Sequence, residues 1–187
     1  GDDFMFLEEY AFIDPLAKLM GSWASELNIY SVALRILLAF ILAGTIGIER
    51  ARKRHSAGLR TFILVSLAST MAMIVDIFCG MTGLFRGFVI VSAATVIGIA
   101  VISSNSLLYS SKNQIKGLTT AVALWSVSFI GLALGAGFYT LGLIGYPLVF
   151  FCLAILPQIE VFLKNRSNHF EIHLELKNKN DLQAFLT

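Results

Sequence analysis

The sequence predicts an all-α membrane protein, a five-span transmembrane helical bundle followed by the start of a cytosolic α/β domain, and three observations carry that prediction. First, 57% of its 187 residues are hydrophobic and 14% are charged, against about 25% charged in a soluble domain. At a mean hydropathy of +0.78, so much apolar surface has no place in a water-facing globule with a charged exterior. Second, no Asp, Glu, Lys, Arg or His occurs from Gly117 to Ile159, a stretch of 43 residues. One membrane-spanning helix takes about 20 residues, so two spans run back to back there. Third, three prolines leave long helices uninterrupted, and fifteen glycines suit membrane helices better than soluble ones. A β-barrel would need short alternating strands, and these continuous apolar runs lack that period.

Residues 1–29 mix apolar side chains with six acids, Asp2, Asp3, Glu8, Glu9, Asp14 and Glu26. Pro15 allows a break or a helix start, and the rings of Trp23 and Tyr30 favour the headgroup level. The segment reads as an extracytoplasmic leader, lying on the membrane surface or only partly ordered. No basic segment precedes a short apolar stretch, so the first span is expected to direct insertion. That span runs from about Tyr30 to Ile48, apolar except for Arg35, and ends in Glu49-Arg50-Ala51-Arg52-Lys53-Arg54-His55. The second runs from about Thr61 to Cys79 with one charge, Asp76. The third covers about Gly87 to Tyr109 without charge, ending in the polar Ser103-Ser104-Asn105-Ser106. The fourth runs from about Gly117 to Phe138 and the fifth from about Leu141 to Gln158.

Five spans put the two ends on opposite sides. The segments Glu49 to Arg60, Ser110 to Lys116 and the tail after Gln158 hold five, two and four Lys or Arg, eleven of the fourteen, all on one face. By the positive-inside rule that face is cytoplasmic, with the N-terminus outside. Residues 30–160 are then the membrane domain and 161–187 the start of the next one. There, Phe170-Glu171-Ile172-His173-Leu174-Glu175-Leu176 alternates with period two as a half-buried strand. Asn178 to Asp181 supplies turn and cap chemistry before a helix start at Leu182. One strand and one helical turn bury no core, so the segment is either a domain cut off by the chain end or a strand borrowed by a neighbouring copy.

Ionisable side chains inside a bilayer cost a few kcal/mol each, which makes Arg35 and Asp76 functional candidates. They lie at similar depth on adjacent helices and are expected to form an intramembrane charge pair, structural or ion-handling, the alternative being an Arg35 that snorkels to the headgroups. At the cytoplasmic face, Glu49 is the one acid in a basic loop and is placed to hold Arg60 or Lys116. Arg50 and the other cations there form either an anion or headgroup site or a solvated loop. If any metal binds, Asp76 or Glu49 are its ligands. Cys79 and Cys152 read as small apolar side chains. His169 and His173 lie in the tail strand without a partner, and there is no Gly-rich phosphate loop or metal-spaced cluster, so an enzyme is not expected. Small residues four apart, Gly131 with Gly135, Ala133 with Gly137 and Ala94 with Gly98, allow close helix packing within one chain or in a homo-oligomer.

Several motifs in order resemble the MgtC/SapB family of bacterial inner-membrane proteins. They are Leu34-Arg35-Ile36-Leu37-Leu38-Ala39, Gly47-Ile48-Glu49-Arg50, Ala57-Gly58-Leu59-Arg60-Thr61, and Lys116-Gly117-Leu118-Thr119-Thr120-Ala121 with Leu124-Trp125. Ile130-Gly131-Leu132-Ala133 and Gly135-Ala136-Gly137 follow, and together they cover about residues 33–160. The resemblance singles out Glu49, Arg50, Gly58, Arg60, Lys116, Thr119 and Thr120 as a cytoplasmic-face motif. It also exposes a departure: Gly98-Ile99-Ala100-Val101-Ile102-Ser103-Ser104-Asn105-Ser106 stands where the family has a glycine-rich stretch, leaving Ser103, Ser104 and Asn105 as a polar patch of its own. It implies that the cut-off domain is ACT-like. It further implies a virulence-associated role in magnesium homeostasis and growth at low Mg²⁺, through restraint of a membrane partner such as ATP synthase. The alternative is Mg²⁺ or other cation transport using Asp76. Mg²⁺ needs oxygen ligands, and each chain offers few. The expected partners are the lipid bilayer and such a membrane protein, not nucleic acid; no cofactor is expected beyond Mg²⁺ itself.

Overall fold

Two of the helices in this chain begin at residues whose side chains cap them. The computed structural model describes residues 14–83, 89–105, 108–109 and 115–166. Helix α1 (Pro15–Met20) starts with proline in its first turn and Asp14 as N-cap, whose side chain accepts from the Ala17 amide. It stops at Gly21, and α2 (Ser22–Ser25) is a single turn. Asn28 then caps α3 (Ile29–Arg52), accepting from the Ser31 amide at 2.8 Å. At 24 residues α3 is about 36 Å long, enough to cross a bilayer. Helix α4 (Leu59–Met81) returns after a short basic turn.

Helix α5 (Ile90–Ser104) has only 15 residues. Two short antiparallel strands, β1 (Leu108–Tyr109) and β2 (Ile115–Lys116), pair Leu108 with Lys116 and Tyr109 with Ile115. They lead into α6 (Leu118–Gly135), α7 (Tyr139–Ala154) and α8 (Leu156–Arg166). Pro157 separates the last two helices, because it has no N–H to give the carbonyl four residues back.

Four segments are long and apolar enough to cross a membrane: α3, α4, α6 and the stretch Tyr139–Arg166 that α7 and α8 make together. The third predicted span is shorter than expected. The helix ends at Ser104, and Tyr109 belongs to a strand, consistent with Ser and Asn side chains competing for the backbone at that point. The fourth span also stops early, at Gly135, while the fifth begins at Tyr139 and reaches past Gln158. The expected strand at Phe170 to Leu176, the turn at Asn178 to Asp181, His169, His173, Arg86 and leader residues 1–13 lie outside the described residues.

The bundle is built with small and polar groups inside and large apolar groups outside. Ser66, Ser69, Thr70 and Ser128 are fully buried, whereas Ile97, Leu64, Leu148, Phe78 and Val101 are among the exposed side chains. Lipid tails are as apolar as leucine, so helices associate here through close packing and hydrogen bonds. Helix α4 is central, packed most extensively on α3 and α6. Its contact with α6 depends on two glycines of the predicted stripe. A Cβ at Gly131 would come within 2.5 Å of the Ser66 carbonyl oxygen, and one at Gly135 within 2.6 Å of that of Thr70. Thr70 fastens this approach, the single hydrogen of its Oγ1 shared between the carbonyls of Ser66 at 2.8 Å and Gly131 at 3.0 Å. Gly98 faces open space, so the Ala94–Gly98 pair does no such work within the described residues. Cys79 is half-buried and Cys152 exposed, both as free thiols.

Gly131→Val is therefore expected to destabilise the protein by about 1–3 kcal/mol through overpacking. Gly98→Ala should leave stability unchanged or slightly raised. Thermal unfolding of the two purified variants in detergent checks both.

Candidate functional site

Arg35 sits in the second turn of α3 and is only 2% exposed. Its guanidinium is surrounded by oxygens. Nη1 donates to the Gly135 carbonyl at 2.8 Å, Nη2 to those of Ala24 and Ser25 at 3.4 Å each, and Nε to the Tyr139 hydroxyl at 3.4 Å. Tyr139 in turn donates to Ala24 at 3.0 Å. Ala24 and Ser25 close α2, and Gly135 closes α6, so the cation meets carbonyls at two helix C-termini, where the backbone carries partial negative charge. Gly137 makes room for it. Its φ of +83° suits glycine, and a Cβ there would lie 2.9 Å from Nη2.

The same cage docks the leader. Ser31 Oγ donates to the Ala24 carbonyl at 3.2 Å, and Asp14 reaches the start of α7, accepting from the Thr140 amide at 3.0 Å. Asp14 is thus an N-cap for α1 and an anchor on α7 at once.

Asp76 is spent in the mirror-image way. It is 5% exposed, its Oδ1 accepts from the Val91 amide at 2.9 Å, and its Oδ2 accepts from the Ser92 amide at 2.7 Å. These are orphan donors at the N-terminus of α5, which a carboxylate satisfies with charge as well as geometry. The expected Arg35–Asp76 pair does not form. Each ion instead engages the end of a helix with opposite partial charge.

At the other end of the bundle the predicted motif divides. Arg50 is 1% exposed and donates from Nη2 to Thr120 Oγ1 at 3.0 Å, joining α3 to α6. Its Nε is buried without a hydrogen bond. Glu49 pairs with Lys53, Oε1 to Nζ 2.6 Å, a charge contact lacking hydrogen-bond alignment. Lys53 also donates to the Ala154 carbonyl at 3.0 Å, at the C-terminus of α7. Arg60 and Thr119 are exposed, and no ion pair joins Glu49 to Arg60 among the described residues. Lys116 enters through its backbone in β2, and Gly58 caps α4. Gly47 and Leu59 show why two of the motifs belong together. A Cβ on Gly47 would lie 2.7 Å from Leu59 Cα, so the first motif lets the second approach. Of the third-span patch, Ser103 is buried while Ser104 and Asn105 are exposed.

A cavity of about 640 Å³ opens at this end, with Glu49, Arg52, Lys53, Thr45, Tyr146 and Phe150 in its lining. The Tyr146 and Thr45 hydroxyls lie 2.7 Å apart and close the helical side. His55, in the turn beyond α3, titrates below the ordinary imidazole range, first through loss of water and then through Arg50 and Lys53, with Glu49 opposing. Lys53, Tyr139, Tyr146 and Thr45 are site residues that sequence reasoning missed. The i,i+4 spacing of Glu49 and Lys53 was a readable signal. The two tyrosines gave none, since each lies in a charge-free run.

A helical membrane protein whose buried ions are anchored on helix ends is the class that this architecture defines. More particularly, the chain belongs to the MgtC family, whose model matches residues 36–162. The protein named "Putative magnesium transporter YhiD" of Escherichia coli K12 is 33% identical over 146 residues, 75% of this chain and 67% of its own length. SapB of Bacillus subtilis is 29% identical over 133 residues, 68% of this chain and 57% of its own. MgtC of Brucella abortus is 34% identical over 100 residues, 53% and 40%. The chain thus spans between two fifths and two thirds of these relatives. No solved structure matches it significantly.

The separate anchoring of the two ions has a direct test. Arg35→Gln and Asp76→Asn are each expected to lower stability by about 1.5–3 kcal/mol, the scale of hydrogen bonds to charged groups. In a double-mutant cycle read by thermal unfolding, the two losses should add to within about 0.5 kcal/mol. A coupling of 1 kcal/mol or more would restore the charge pair.

Proposed function

We propose that this chain is a bacterial inner-membrane protein of magnesium homeostasis and adaptation to low Mg²⁺, acting as a regulator of a membrane partner such as ATP synthase. One observation carries the choice of regulator over conduit: each oxygen of Asp76 already accepts from a backbone amide, so the carboxylate is fixed as a helix cap. A Mg²⁺ pathway draws on carboxylate oxygens that remain available to the ion and its retained waters. Arg35, fixed by carbonyls at the same end of the bundle, adds a permanent positive charge that a dication would have to pass. The reading assigns the chain no catalytic step.

In the proposed topology α5 makes the third of five crossings, and the turn between α3 and α4 faces the cytoplasm. The N-terminus is then outside, and residues from 161 onward begin a cytosolic ACT-like domain. Arg50, Arg52, Lys53, Arg54 and Arg60 at that turn support this orientation. Magnesium enters the proposal through the family and through the name that the Escherichia coli relative carries. That name favours the rival reading, passage of Mg²⁺ or another cation with Asp76 as ligand.

Reconstituted into liposomes around a Mg²⁺-sensitive dye, the full-length protein is expected to give no flux above empty vesicles. Co-reconstituted with ATP synthase, it should lower ATP-driven proton pumping. Flux that Asp76→Asn abolishes, in protein that still unfolds cooperatively, would overturn the regulator in favour of the transporter.

A further inference from the structure

The Arg35 cage borders a cavity of about 420 Å³. Its walls come from three helix ends: Leu27 precedes α3, Met81 is the last residue of α4, and Ala136 follows α6. Trp23 and Tyr30, both exposed, lie on the same segments and favour the headgroup level. Arg35 and Glu26 supply opposite charges to this one space, the first buried and the second exposed.

We propose that this cavity seats the phosphoethanolamine headgroup of a phospholipid, the phosphodiester on the Arg35 guanidinium and the ammonium toward Glu26. Carbonyls give the guanidinium partial charges only, and no carboxylate pairs with it among the described residues. Its Nη1 has two hydrogens, of which the Gly135 carbonyl takes one, leaving a donor and a net charge for an anion. Free phosphate, carrying more than one negative charge near neutral pH, meets the Glu26 carboxylate as a like charge. A phosphodiester has one negative charge, and its ammonium answers Glu26. Leu27 and Met81 provide apolar walls, and Met81, 68% exposed, continues into the lipid-facing surface where acyl chains lie.

The test is native mass spectrometry of the delipidated full-length protein, with phosphatidylethanolamine, phosphatidylcholine or phosphatidylglycerol added back separately. Phosphatidylethanolamine should be retained about three- to fivefold more than the other two, the scale of one partly exposed charge-assisted pair. Choline has no N–H to donate, and the glycerol headgroup has no cation. Glu26→Gln, on an exposed side chain, should erase that preference, and Met81→Trp should lower retention by filling the mouth; both should melt like the parent. Equal retention of the three lipids, or a preference that survives Glu26→Gln, would overturn the site. Displacement of the lipid by millimolar phosphoethanolamine or inorganic phosphate would overturn the lipid as its occupant and assign the soluble ion instead.

Discussion

A guanidinium within a bilayer needs oxygens around it, and the position of Arg35 is possible because two helices end there. The carbonyls of Ala24, Ser25 and Gly135 and the hydroxyl of Tyr139 come from the leader, from α6 and from α7. The leader and the α6–α7 junction, more than a hundred residues apart in sequence, therefore converge on one cation. The early stop of α6 follows from the same geometry, because the chain must turn through Gly137 to leave its last carbonyls facing Arg35. The packing of α6 on α4 through Gly131 and Gly135 brings that stop to the right depth.

The opposite polarity appears at Asp76, and the polarity of Arg35 recurs at the far end, where Lys53 reaches the Ala154 carbonyl at the close of α7. Helix ends leave unsatisfied amides and carbonyls that cost several kcal/mol in a lipid environment. Buried ions carry a similar cost. Joining the two removes both penalties with one contact, and it frees the bundle from needing an acid for every base. The start of α5 is fixed in this way, since the amides of its first turn are satisfied by a side chain on α4.

Parts of this were legible in the residues. The depths of Arg35 and Asp76 follow from counting along their spans, and the basic turn from Glu49 to Arg60 follows from its charges. Their partners were not legible. Depth along a helix leaves the rotation about its axis open, and a backbone carbonyl at a helix end has no letter in the sequence. Tyr139 and Tyr146 are hidden for the same reason, as two aromatic residues in a long apolar run. Thr120 was readable as part of a motif, but its bond to Arg50 depends on how α6 turns against α3.

What the sequence determined by itself is the solvent of this protein and the family it belongs to, because apolar run length and motif order are properties of a single dimension. The tertiary structure decided where the charges go. Arg35 and Asp76 look like a pair when only their depth is known, and become two separate helix anchors once the ends of α2, α5 and α6 are in place. The physical reason is that a buried ion interacts with whatever opposite charge lies nearest in space, and here that is backbone.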